Sequence, residues 1–420
     1  MFRQFVWTIV IALFFSSPLF SADWTQFRGA DGNGNSPDTG LQKKWAPEGP
    51  KLLWTADFIG SGWSGVSISG NNIYITGNVK SNGNNVEMVF CLDKNGKKIW
   101  EKDNGPAHAV ANQYPGTRGT PTLEGNFVYN ISASGEVACF DTTKMGEKVW
   151  SRNIMEDYEA PFPMWKLGHA LVIDGDCLIS PLGGPKHSAI AMDKKTGKTV
   201  WTAPPAPGGA ETAYTTPYIF EFEGIRVVTV MSDSTVEGID TKTGKRLFTI
   251  PWTNSRTCHC TQPLYRDGNL FCSTGYDGGG AKLFKLSKNT DGTISLAEVW
   301  AEPRFNNHHH GLVRVGDYVF GTAFDGSWCS INFKTGKMGY AVRSVGKGSV
   351  VYADGLIYGL AEDNKTVILL NPDPMKYDEI SRFELPQDVP GSKSWAHPVV
   401  LDGRLYLRHG QYLYCYDVKE

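Results

Sequence analysis

Ala191-Met-Asp193-Lys-Lys-Thr-Gly197-Lys-Thr-Val-Trp201 decides the architecture of this chain, because the chain keeps rewriting it. Close copies are Cys91-Leu-Asp93-Lys-Asn-Gly96-Lys-Lys-Ile-Trp100 and Cys139-Phe-Asp141 running to Gly146-Glu-Lys-Val-Trp150. Two more are Gly238-Ile-Asp240-Thr-Lys-Thr-Gly244-Lys-Arg-Leu-Phe248 and Ser330-Ile-Asn332-Phe-Lys-Thr-Gly336-Lys-Met-Gly-Tyr340. Each copy predicts one strand, a tight Asp/Thr-Gly turn and a return strand ending on an aromatic ring. Self-similarity at a period of roughly 40 to 50 residues, built from short strands and glycine turns, is the signature of a radial β array.

Working outward, the closing aromatics are Trp100, Trp150, Trp201, Phe248, Trp300 and Tyr340, with a weaker unit ending at Phe383. The last strand, Tyr414-Cys415-Tyr416-Asp417-Val418, has no turn and closing strand after it, and Lys51-Leu-Leu-Trp54 can supply that strand. Joining first and last strands in one blade removes two exposed sheet edges. With Trp54 counted there are eight closing positions. The sequence therefore predicts an all-β, eight-bladed β-propeller of four-stranded antiparallel blades over residues 51–420, preceded by an extended segment at 23–50.

Composition agrees with a large core: 47 glycines in 420 residues, 12% aromatic and 20% charged. A net charge of −2 without a Lys/Arg cluster excludes an electrostatic case for nucleic acid or an anionic membrane. Residues 1–22 carry Arg3, an apolar run from Phe5 to Phe15 and a plausible cleavage after Ala22. The run is too short to span a bilayer and fits a secretory leader. The expected mature chain is a periplasmic or secreted monomer without a transmembrane span.

Of the eight cysteines, Cys91, Cys139 and Cys415 share one repeat position with Ala191, Gly238 and Ser330. That position wants a small buried side chain, and equivalent positions in different blades lie too far apart for a disulfide. Cys258-His259-Cys260, with Cys272 on the next strand, leaves a bridge or a metal clip open.

Hairpins such as Thr120-Pro-Thr-Leu-Glu-Gly-Asn-Phe-Val-Tyr129 and His397-Pro-Val-Val-Leu-Asp-Gly-Arg-Leu-Tyr406 open each blade, and their first strands line the central channel. Residues just before these strands crowd one rim, together with the loops joining second and third strands. Five of the nine histidines fall there: His169, His308, His309, His310 and His397. Arg118, Thr120, Trp165, Thr216 and Gln262 join them as candidate ligand- or cofactor-binding residues. Convergent polar groups with aromatic walls are what a ligand site needs. Against this, Thr and Ser at strand starts also satisfy orphan backbone groups at a crowded axis. In Asn307-His308-His309-His310, strand alternation lets alternate members face the channel. With no carboxylate spaced to complete a His set, no metal site is expected.

The Asp-x-x-Thr-Gly-Lys-x-x-Trp phrase resembles the tryptophan docking repeat of the PQQ-like, quinoprotein-type propellers. The opening Asp23-Trp24-Thr-Gln-Phe27-Arg28-Gly29 and the Asn307-His308-His309 stretch are similar to exported members of that family abundant in planctomycetes. The resemblance spans residues 23–420. It implies one of two inheritances: quinone-dependent alcohol dehydrogenases, or non-catalytic members such as the BamB-type assembly lipoprotein. The dehydrogenases bind pyrroloquinoline quinone (PQQ) with calcium, beneath a disulfide of neighbouring cysteines, with a Trp and an Asp base. This chain has no Cys-Cys pair, no Cys-x-x-Cys-His and no lipid-bearing Cys after its leader. The leading expectation is an exported scaffold that binds a ligand, or a protein or polymer partner, through the His-rich channel face. The alternative is a PQQ-dependent oxidoreductase in which Arg118 pairs a cofactor carboxylate.

Overall fold

The structure, a computed structural model, describes residues 23–107, 114, 116–309, 311–389 and 391–420. The leader segment 1–22 and His310 lie outside them. Apart from one four-residue helix at Ile154–Asp157 and two 3₁₀ turns, every described element is a strand. The strands form eight four-stranded antiparallel sheets, each in simple sequence order. The first blade is Ser67–Ser69, Asn72–Ser81, Asn84–Asp93 and Lys98–Pro106. The next six begin at Thr122–Glu124, Val172–Asp174, Tyr218–Phe222, Leu264–Arg266, Val313–Val315 and Gly348–Ala353. In the eighth, Val399–Leu401, Arg404–His409 and Tyr412–Asp417 are closed by Lys51–Ala56 from the other end of the chain.

The repeated phrase does the same physical work in each blade. Its Asp or Asn carboxyl or carbonyl oxygen accepts from backbone N–H groups two to four residues on, as at Asp93, Asp193, Asp240 and Asn332. This Asx geometry shapes the turn. The returning aromatic pairs with the small residue of the third strand: Trp100 with Cys91, Trp150 with Cys139, Trp201 with Ala191, Phe248 with Gly238. A register shift follows immediately in each case, and such bulges re-aim side chains. The ring then lies on the turn glycine of the next blade. A Cβ at Gly197 would stand 2.6 Å from Trp150, and one at Gly244 2.8 Å from Trp201. The indole N–H completes the joint by donating to the neighbouring turn's carbonyl: Trp54 to Lys94 at 3.0 Å, Trp201 to Thr241 at 2.8 Å, Trp300 to Phe333 at 3.0 Å. Cys91, Cys139 and Cys415 are buried and free, as the repeat predicts.

One blade departs from the pattern. In the seventh, Ser381 holds the tryptophan register, opposite Leu369, and Phe383 lies two residues further on, opposite Val367. Ser381 Oγ accepts from the backbone N–H of Trp45 at 3.1 Å, and the Trp45 ring meets Phe383 edge-on at 5.2 Å. The extended segment thus brings an indole to the one blade whose register position holds no aromatic ring.

That segment has a second role. Residues 23–36 bridge the hairpin ends of the channel-lining strands: Trp24 pairs with Ile68, Thr25 O accepts from Leu123 N, and Gly34 and Ser36 bond Tyr352. They therefore cross one end of the channel, and the rim described next lies at the other.

Candidate functional site

The rim is built from two kinds of connection, last strand to next blade and second strand to third. The threonines there mostly stitch backbone. Thr120 Oγ1 accepts from Gly65 N at 3.0 Å and Thr216 Oγ1 from Ala170 N at 2.9 Å, each across a blade boundary. Thr215 and Thr261 donate to His259 O and His308 O, both at 2.8 Å. Gln262 Nε2 donates to Pro217 O at 3.0 Å. His169 is buried, its Nε2 3.0 Å from Ser180 Oγ, and burial pushes its imidazole down to about 4. Trp165 lies beside Tyr214, with ring centroids 5.7 Å apart and its backbone N–H donating to the Tyr214 hydroxyl at 3.1 Å.

His308 and His309 meet differently from the strand alternation expected of them. They follow the isolated bridge Asn307–Ala323 and belong to no strand. Neighbours in a loop need not point apart, and the two rings stand 4.1 Å from each other. Around them gather residues of two other blades and of the preceding loop. Tyr276 Oη is 2.8 Å from His308 Nε2, and Tyr276 itself has φ +64°, a costly conformation for a bulky residue that clusters at functional sites. Glu362, almost fully buried at the end of the second strand of the seventh blade, accepts from Trp395 Nε1 at 3.1 Å. Lys347 Nζ is 2.9 Å from Glu362 Oε2, 3.4 Å from His308 Nδ1 and 4.8 Å from the Phe324 ring centre. Spacing along the chain hid the carboxylate; the ring of blades supplies it from more than fifty positions away.

An aromatic wall continues from this cluster. Trp395 lies 5.0 Å from the His309 ring, 4.7 Å from Trp63 and 4.9 Å from Tyr114. The Arg118 guanidinium sits 5.1 Å over Trp63 and donates to Tyr114 O at 3.1 Å. Its Nη1 is buried without a hydrogen-bond partner among the described residues. Burial pulls Arg118 down to about 10, against Tyr214, Glu87 and Cys260, which favour its charge. The Cys258 and Cys260 sulfurs are 3.4 Å apart as free thiols, and Cys260 is pushed well up, first by its contact with Cys258 and then by burial. From the far side, Arg28 reaches inward from the segment that crosses the channel. Its guanidinium is 3.3 Å from His397 Nδ1, and His397 Nε2 is 3.1 Å from His309 O.

The structure thus brings Arg118, His308, His309 and His397 toward one face and leaves Thr120, His169, Thr216 and Gln262 as joints between or within blades. Sequence reading missed Tyr276, Phe324, Lys347 and Glu362. Three of these sit just after a second strand, at corresponding places in the fifth, sixth and seventh blades, so lining up the repeats there would have found them.

The family model described as outer membrane protein assembly factor BamB matches residues 43–159 and 134–373. The chain belongs to that family. No curated protein matches it. Among solved structures, BamB from Moraxella catarrhalis is similar at 15% identity and TM-score 0.61, covering 88% of this chain and 99% of that one. Quinohemoprotein alcohol dehydrogenase from Comamonas testosteroni is similar at 11% identity and TM-score 0.62, covering 95% and 81%. The computationally designed Ika8 protein follows at 12% and 0.57, covering 88% and 100%. At such identities these likenesses show the propeller fold.

The calcium that the quinoprotein resemblance implies does not fit this rim. Calcium takes six to eight oxygen ligands. Among the described residues, the His, Cys, Asp and Glu side chains that converge are His308, His309 and Glu362, which offer one carboxylate and two imidazoles.

Proposed function

We propose that this family member is an exported propeller that captures a partner polypeptide on the face carrying Trp63, Tyr114, Arg118 and Trp395. The observation that carries the reading is the continuous aromatic and guanidinium cluster at one rim, half-buried and so reachable from solvent. Trp, Tyr and Arg are the side chains that dominate protein–protein binding energy, because they present large rigid area with a polar handle. The family's description as an assembly factor supports the same class of partner. Export is supported by the leader-like residues 1–22. Among the described residues, no helix is long and apolar enough to cross a membrane.

A photoreactive amino acid at Tyr114, which is 42% exposed, tests this in the protein's own cells against one at Met375, 60% exposed on an outer turn. A discrete adduct from Tyr114 and none from Met375 is expected. No adduct from Tyr114 would overturn the reading.

The oxidoreductase reading keeps one observation, the buried Nη1 of Arg118, where a planar polycarboxylate could pair. Titration calorimetry with PQQ, with and without calcium, separates the two. Tight binding lost in Arg118→Ala would move the assignment to a quinoprotein enzyme, and absence of heat would leave the binding scaffold.

A further inference from the structure

We infer that His308, His309 and Glu362 form a site for a divalent transition-metal cation of the zinc class, held closed by the ammonium of Lys347 in the metal-free chain. Their donor atoms lie within 4.8 Å of one another. Two imidazoles and one carboxylate are a donor set that suits zinc and its neighbours and leaves a fourth position for water or a ligand atom. The inference stands independently of any polypeptide partner.

The surroundings resemble an outer shell. Tyr276 Oη engages His308 Nε2, which leaves Nδ1 turned toward the cluster, and Trp395 Nε1 holds Glu362 Oε1, which leaves Oε2 turned inward. Such partners fix which atom of each ligand faces a metal. Lys347 Nζ touches those same two inward atoms, Nδ1 of His308 and Oε2 of Glu362. A cation therefore already stands where the donors converge, at distances longer than the roughly 2.0–2.2 Å of zinc to nitrogen or oxygen. A metal ion entering displaces the ammonium, and the donors close in by side-chain rotation, which the loop position of His308 and His309 allows.

The experiment is calorimetric titration of the metal-stripped full chain with zinc chloride and, separately, calcium chloride, followed by cobalt(II) spectroscopy. One equivalent of zinc is expected, with no heat from calcium. Glu362→Gln and His309→Gln should each weaken zinc binding by at least roughly 10–100-fold, as loss of a metal-site partner does. Lys347→Met should tighten it by about tenfold by removing the competing cation. The Cys258→Ser/Cys260→Ser variant should bind as the wild type does, and the cobalt spectrum should lack a thiolate charge-transfer band. Absence of zinc binding in both the wild type and Lys347→Met would overturn the inference. So would binding that survives Glu362→Gln and His309→Gln but is lost with the two cysteines. Because the cobalt spectrum is read on the wild-type chain, a variant that fails to fold does not spare the proposal.

Discussion

Phe383 rests on Gly49: a Cβ added to that glycine would stand 2.5 Å from the ring. The two residues lie at opposite ends of the chain, yet they reproduce the contact of Trp150 with Gly197 inside the ring of blades. Gly49, at φ +85°, is thus the turn glycine of the eighth blade, supplied by the segment that leads into its closing strand. Phe383 cannot retreat easily, because Trp45 and Tyr416 meet it at 5.2 and 5.0 Å.

Gly49→Ala should therefore cost more than its backbone conformation alone, which for an L-residue is about 1–2 kcal/mol. Gly83, at φ +81° with open space where its Cβ would be, isolates the backbone part. Thermal unfolding should show Gly49→Ala melting below Gly83→Ala. Equal midpoints would mean that the closure does not depend on this contact.

Trp201 couples the third blade to the fourth through the Gly244 turn and the Thr241 carbonyl. Trp201→Ala should lose about 3–5 kcal/mol, in line with other buried aromatics, and Trp201→Phe should fall between, keeping ring contact but not the N–H. A melting temperature unchanged in Trp201→Ala would count against the joint between blades.

The fold was legible because one phrase carries three constraints at once: an Asx turn, a small residue at the third-strand position and an aromatic opposite it on the outermost strand. Phe383 shows the limit. Its register slips by two, yet the ring still finds a glycine, because docking requires contact and not an identical position. The site was half legible. Rim histidines and Arg118 stand at strand starts that the repeat marks, whereas Glu362 and Lys347 acquire meaning only when the ring closes and sets them beside His308. The threonines misled for a physical reason: a crowded channel needs hydroxyls to satisfy backbone groups, and a sequence shows such a hydroxyl and a ligand-binding one alike.

Arg28 is buried with its guanidinium bonded to the carbonyls of Asn33 and Leu312 and placed against His397. Arg28→Met leaves those buried acceptors unpaired, at about 1–3 kcal/mol each. Arg28→Lys should recover little, since an ammonium lacks the planar fork that reaches several acceptors at once. Thermal unfolding of the two variants checks this, and full recovery by lysine would argue against the fork.

Acid should weaken the fold through His169. Burial lowers its imidazole to about 4 in the native state, against about 6.5 in the unfolded chain. Between those values the unfolded chain binds the proton first, so stability falls as pH drops from 6.5 and the loss is complete near 4. A shift of this size corresponds to about 3 kcal/mol. His169→Gln can keep a hydrogen bond to Ser180 but cannot titrate, so its melting temperature should fall less steeply over that window. The gap between wild type and variant should narrow from pH 7 to pH 4. Parallel curves would show that His169 takes up its proton in the folded protein as readily as in the unfolded one.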